Sequence, residues 1–214
     1  MGLWIFKLLA VAVVAYVLGC ANGAILVSKY ILHDDIRQHG SGNAGLTNFF
    51  RVFGGKSTIL VILSDMLKIV VAMLIGMLVL KDLGAYEIPA FGKLWAAMFC
   101  MIGHDFPAFF GFKGGKGVLS GGAMTLMFDW RVALICWGCF FLAVVLSKYV
   151  SLGSIAAGLS FVITSCIFYP NPVDIAISVV CGVLLIWGHR GNINRLVHGT
   201  ENKFSFHRKG DHQS

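Results

Sequence analysis

The chain is 214 residues long, 57% hydrophobic and only 13% charged, with a mean hydropathy of +0.81. Long continuous apolar runs of this kind exclude a soluble domain and describe an all-α polytopic membrane protein, because a helix satisfies its own backbone in hydrocarbon. The 17 Lys and Arg against 10 Asp and Glu give a net charge of +7. These basic residues sit in short loops and at the C-terminal end, so positive-inside topology accounts for them better than a nucleic-acid partner does.

Crossing about 30 Å of hydrocarbon takes about 20 residues in a helix. The first apolar run is Leu3 to Val27. Val17-Leu18-Gly19-Cys20 within it has the form of a lipoprotein cleavage site, but only Lys7 precedes it and further runs follow, so a retained helix is expected. A polar stretch, Ser41 to Lys56, leads to the second run, Ser57 to Leu80. Asp65 and Lys68 lie inside that run at i,i+3, where charges are costly unless paired or facing a polar cavity. They read as a structural ion pair that also buttresses a site.

The third run, Lys93 to Phe110, overlaps a second polar stretch, Gly103 to Gly117, and leads to the fourth, Val118 to Phe128. This fourth run is too short to span without tilt or help from the preceding loop. Asp129-Trp130-Arg131 reads as a tight polar turn before the fifth run, Val132 to Ser147. Tyr149 to Ser154 reads as a loop ahead of the sixth, Leu152 to Phe168, and the seventh is Pro172 to Gly188. His189 to Lys203 is the third polar stretch, and residues 205–214 read as a mobile basic tail.

Seven helices put all three polar stretches on one face of the membrane. That face carries Lys29, Arg37, Arg51, Lys56, Lys113, Lys116, Arg190, Arg195 and Lys203, so it is expected to be cytoplasmic, with the N-terminus outside and the C-terminus inside. Residues 1–204 then form a single transmembrane domain. The six cysteines all fall in apolar runs and read as small buried residues, including the Cys136-Trp137-Gly138-Cys139 pair, which lacks a soluble redox context.

The three stretches carry the candidate chemistry. Ser41-Gly42-Asn43-Ala44-Gly45-Leu46-Thr47-Asn48 with Arg51 suits a nest of N–H donors beside a fixed cation, although Ser, Asn and Thr also serve as ordinary helix caps. Lys113-Gly114-Gly115-Lys116-Gly117 places glycines around two lysines ahead of a helix start, a phosphate-binding arrangement. It is not a Walker A loop, since Gly117 follows Lys116 where Ser or Thr is required, and nucleotide hydrolysis is not expected. His189, Asn192 and Arg195 recur at a spacing of three, so a helical continuation lines them on one face. His104 and His189 are the candidate proton acceptors.

Together these motifs resemble the bacterial acyl-phosphate:glycerol-3-phosphate acyltransferase family, the PlsY type, over nearly the whole chain. Ser41-Gly42-Asn43-x-Gly45-x-Thr47-Asn48-x-x-Arg51 is similar to its first motif, with Leu46 a mild departure. Gly103-His104-x-x-Pro107 with Lys113 to Gly117 is similar to the second, and His189-x-x-Asn192-Ile193-x-Arg195-Leu196 with Glu201 to the third. The resemblance implies transfer of a fatty acyl group from acyl phosphate to the sn-1 hydroxyl of glycerol 3-phosphate, giving lysophosphatidic acid and inorganic phosphate. It implies Ser41, His189 and Asn192 as catalytic residues, with Arg51 and one of Lys113 and Lys116 around two phosphates.

Gly42, Asn43, Gly45, Thr47, Asn48, Gly103, His104, Gly114, Gly115, Gly117, Arg195 and Glu201 complete the binding set that the resemblance implies, with a serine from Ser151 or Ser154. It implies no metal or cofactor. The partners are the two substrates and membrane lipid, with no nucleic acid, and the location is the bacterial inner membrane with the site facing the cytoplasm.

The residues support this independently of the name. Two phosphate substrates, one with a long apolar tail, need a cationic pocket joined to an apolar groove, and Phe106, Phe109, Phe110 and Phe112 are candidates to guide the tail. No histidine is followed by Asp at the His-x-x-x-x-Asp interval of acyl-CoA-dependent glycerolipid acyltransferases. An activated acyl phosphate suits direct attack by the hydroxyl, helped by positioning and charge neutralisation. A small organophosphate or lipid transporter is the alternative, but the inverted repeat it would carry is not visible.

Overall fold

The computed structural model describes residues 2–81 and 89–204. Among them every regular element is helical, in the order α1 Gly2–Cys20, α2 Gly23–Leu26, α3 Leu46–Val52, α4 Ser57–Val79, α5 Pro89–Asp105, α6 Val118–Phe128, α7 Trp130–Ser147, α8 Val150–Phe168, α9 Pro172–Gly188 and α10 Arg190–Val197. Helices α1 and α4 to α9 occupy the seven apolar runs. Among the described residues, four (α1, α4, α7 and α8) are long and apolar enough to cross a membrane alone. A fifth crossing is made if α9 and α10 count as one span broken by a 55° bend. Helix α6, with 11 residues, is as short as the sequence suggests.

Two runs differ from expectation. The first is interrupted after Cys20, because Asn22 caps a new helix by accepting from the Ile25 N–H at 3.1 Å, and residues 27–31 widen into a π-helical turn. The third begins earlier, at Pro89, and ends at Asp105, where Pro107 cannot continue the helical bonding and a short 3-10 turn, Ala108–Phe110, follows. The expected loop at 149–154 is mostly helix, with α8 starting at Val150. Asp82, Glu87 and the basic tail at 205–214 lie outside the described residues.

Helices in lipid gain little from burying apolar surface against each other, so close backbone contact through small residues carries the packing. Here α1 and α5 touch through Gly19 and Gly103: a Cβ on Gly19 would strike the Cys100 carbonyl, and one on Gly103 the Tyr16 carbonyl. Gly76 and Gly92 bring α4 and α5 together in the same way. At one end of the bundle, Asp129 and Asn171 cap α7 and α9, Tyr169 donates to Asp129 at 2.6 Å, and Lys93 donates to the Met127 carbonyl at 3.0 Å. The three polar stretches gather at the other end.

Candidate active site

The first stretch is held by Asn48. This buried side chain accepts from the Ser41 N–H at 3.0 Å and donates to the His39 and Asn43 carbonyls, each at 3.0 Å. Its three bonds fold residues 39–48 into a compact loop, so Asn48 shapes the site instead of presenting a free amide. Gly40 and Gly42 take positive φ values of 58° and 70°, which an L side chain resists, and a Cβ on Gly40 would meet the Asn48 amide. Ser41, Asn43, Gly45, Thr47 and Arg51 then face one cavity. Arg51, on the last turn of α3, has no hydrogen-bond or ion-pair partner among the described residues.

The second stretch is seated on the end of α5. Gly114 N–H donates to the Asp105 carbonyl and Gly115 N–H to the His104 carbonyl, both at 3.1 Å, while the Ala44 N–H reaches the Gly114 carbonyl at 3.4 Å. Any side chain on Gly114 or Gly115 would collide with His104. These glycines therefore bring the loop down onto α5, and their amides serve that contact. Lys116 is the lysine delivered to the site, where it borders two adjoining cavities, whereas Lys113 is exposed and lines neither. Gly103 packs on α1, as above, and lines neither cavity.

His104 is anchored from below. Its Nδ1 lies 2.7 Å from Lys68 Nζ, which also contacts Asp65 at 2.8 Å and the Gly19 and Ala21 carbonyls at 3.3 and 3.2 Å. Asp65 in turn accepts from the Gly23 N–H at 3.0 Å. Asp65 and Lys68 thus form the expected ion pair, and Asp65 and His104 also border the cavity. Asn22, fully buried, joins this cluster by donating to the Ala44 carbonyl at 3.1 Å. The sequence reading missed Asn22; a lone Asn after Cys20-Ala21 inside an apolar run was its signal.

The third stretch closes the site. His189 Nδ1 lies 2.8 Å from the Leu185 carbonyl, which can only accept, so the proton is on Nδ1 and Nε2 carries a lone pair. Burial first, opposed by that backbone bond, pulls its pKa down to about 4, so the ring is neutral near pH 7. Helix α10 places Asn192 and Arg195 on the cavity side, as their spacing predicts. Lys116 donates to the Asn192 carbonyl oxygen. Glu201 accepts from Asn192 at 2.7 Å, Arg195 at 2.7 Å and Ser151 at 2.9 Å. Burial pushes the Glu201 carboxyl up, but these bonds outweigh it and hold it below its ordinary value. Ser154 also lines the cavity but bonds back to the Val150 carbonyl at 2.9 Å.

The resulting cavity, about 310 Å³, is cationic at its mouth and apolar within. Burial, and then Arg195, draw the Lys116 ammonium down to about 8. Helices α3, α6, α8 and α10 all start at this mouth without a side-chain cap, in contrast to α7 and α9 at the far end. Their unpaired first-turn N–H groups add positive potential suited to phosphate. Below the mouth, Met101, Met124, Trp137, Phe140, Phe161 and Leu185 continue the cavity. The phenylalanines named from the sequence do not form this groove: Phe109 and Phe112 are exposed, and Phe106 borders the second cavity of about 380 Å³. Glycines at 121, 122, 158 and 182 along the walls were the overlooked sign of the groove.

Comparison with known proteins identifies the family. The model of the glycerol-3-phosphate acyltransferase family matches residues 9–199. A glycerol-3-phosphate acyltransferase of Thermoanaerobacter sp. (strain X514) is 38% identical over 192 residues, covering 90% of this chain and 93% of that protein. The crystal structure of PlsY, an integral membrane glycerol 3-phosphate acyltransferase, in its glycerol 3-phosphate form is 32% identical with a TM-score of 0.81, over 92% of this chain and 96% of that one. Its lysophosphatidic acid form is 31% identical with a TM-score of 0.78, over 92% and 95%. The chain belongs to the glycerol-3-phosphate acyltransferase family of integral membrane proteins.

Proposed function

We propose that this protein transfers a fatty acyl group from acyl phosphate to the sn-1 hydroxyl of glycerol 3-phosphate, releasing lysophosphatidic acid and inorganic phosphate. The observation that carries the reading is a single cavity whose mouth holds Arg51, Lys116, His189, Asn192 and Arg195 and whose depth is apolar. Phosphates belong at the mouth and the acyl tail below. Relatives solved with glycerol 3-phosphate and lysophosphatidic acid support the acceptor and product. The absence of a His-x-x-x-x-Asp pair supports an activated donor that needs no such base.

The hydroxyl oxygen attacks the acyl carbonyl carbon, the ester C–O bond forms, and the C–O bond to phosphate breaks. The hydroxyl proton passes to a phosphate oxygen or to His189 Nε2. Lys116, Arg51, Arg195 and the helix starts neutralise charge on the two substrate phosphates, while Ser41 and Asn192 orient the leaving one. In this reading seven helices span a bacterial inner membrane, with the N-terminus outside and the site facing the cytoplasm. Purified protein given palmitoyl phosphate and glycerol 3-phosphate should release inorganic phosphate stoichiometrically with lysophosphatidic acid. Arg51→Ala should abolish most of that turnover; normal turnover by Arg51→Ala would overturn the site assignment.

A further inference from the structure

The apolar cavity ends at one depth on four helices. Its lining stops at Thr125 on α6, Cys136 on α7, Phe161 on α8 and Cys181 on α9. One turn further on, Phe128, Val132, Thr164 and Ile177 are buried and do not border it. Phe161 supplies the largest side chain at this level, 4% exposed, and is itself backed by the Phe128 ring at a centroid distance of 6.1 Å in an edge-to-face arrangement. Phe128 rests in turn on Tyr169, 4.5 Å away, whose hydroxyl is tied to Asp129. The floor is therefore a set of packed aromatic rings tied from beneath by the Tyr169–Asp129 bond.

Depth follows from helix rise. From Ser151 at the mouth to Phe161 is ten residues of α8, and from His189 to Cys181 is eight of α9. At about 1.5 Å per residue these distances are about 15 and 12 Å. A staggered carbon chain with bonds of about 1.52 Å and angles of about 111° advances about 1.25 Å per atom. Such a chain meets the floor at roughly its tenth to twelfth carbon.

We propose that the Phe161 ring is the chain-length gauge of this enzyme, setting where added methylenes of the acyl donor stop gaining contact. This rests on the donor reading above. Phe161 touches the far end of the chain and takes no part in the chemistry at the mouth.

The test is the kcat/KM profile over saturated acyl phosphates of increasing length, for wild type, Phe161→Ala, Phe161→Leu and Cys181→Leu, with each variant divided by wild type at the same donor so that membrane partitioning cancels. Each added methylene that finds new apolar contact is worth about fourfold in kcat/KM. Phe161→Ala, and more weakly Phe161→Leu, should raise the ratio only for donors longer than about twelve carbons, whose length exceeds the depth set by helix rise. Cys181→Leu adds volume at the same depth from the facing helix and should lower the ratio for those donors. The KM for glycerol 3-phosphate should stay within about twofold, because Phe161 lies far below the charges that hold it.

Ratios independent of chain length in all three variants would overturn the gauge while leaving the donor reading intact. If wild type uses no acyl phosphate at all, the donor reading fails and the gauge with it. Variants that do not fold are recognised by loss of the monodisperse peak in detergent, and the remaining substitutions then decide.

Discussion

Lys68 Nζ lies 2.7 Å from His104 Nδ1, deep in the bundle beneath the Gly114–Gly115 loop. An ammonium can only donate, so Nδ1 accepts and the His104 proton sits on Nε2, against Gly115. This takes His104 out of contention as the base and makes it a post for the glycine loop. His189, by contrast, keeps its lone pair on Nε2.

The buried Asp65, Lys68 and His104 cluster predicts an asymmetric response to mutation. Lys68→Met leaves the Asp65 carboxylate unpaired in a site where it is 1% exposed, and should cost about 3–5 kcal/mol. Replacing both charges, with Asp65→Asn and Lys68→Met together, should recover a good part of that loss. Thermal unfolding in detergent measures both, and additive losses would mean that the two charges do not act as a pair.

Lys116 gives a pH dependence. Its pKa is lowered by burial from 10.5 to about 8, so the site loses a cation as pH rises through about 8. The KM for glycerol 3-phosphate should rise above that pH, and Lys116→Arg, which stays charged, should flatten the rise. Stability moves the other way: between pH 8 and 10.5 the unfolded chain holds a proton that the folded chain has released, so the unliganded protein gains stability with pH in that window from this group. A KM flat to pH 10 in wild type would contradict the placement of Lys116 at the phosphate.

Glu201 ties three elements through bonds from Ser151, Asn192 and Arg195. Glu201→Gln keeps the shape but weakens the bonds from Arg195, Asn192 and Ser151, with an expected cost of about 1.5–3 kcal/mol. Ser151→Ala removes one of these bonds and should cost about 1 kcal/mol, with activity reduced less than tenfold. Urea titration and turnover together test this. An unchanged midpoint in Glu201→Gln would show that the stretch after α10 does not depend on its carboxylate.

Packing glycines predict a sharp positional contrast. Gly103→Ala drives a methyl into the Tyr16 carbonyl and should prevent accumulation of folded protein, whereas Gly138→Ala meets nothing within 4 Å and should be silent or slightly stabilising. Expression followed by size-exclusion chromatography separates the two. Equal yields would show that α1 and α5 can move apart.

Sequence alone located the seven apolar helices, the short α6, the Asp65–Lys68 pair and the periodic His189, Asn192 and Arg195 face, because hydrophobic run length and helical spacing are local properties of the chain. It also brought the three polar stretches to one end by counting reversals. What it could not assign was which polar groups were already used up. Asn48 spends its amide on the Ser41 loop, the Gly114 and Gly115 amides are bonded to α5, Gly103 meets α1, and Lys113 turns outward while Lys116 turns in. The cavity and its floor at Phe161 likewise exist only where helices from both halves of the chain meet, since depth is set by the register between segments far apart in the chain. Tertiary packing decided which members of each motif remained free to meet a substrate, because a hydrogen-bonding group engaged with its own fold has little left to offer a ligand.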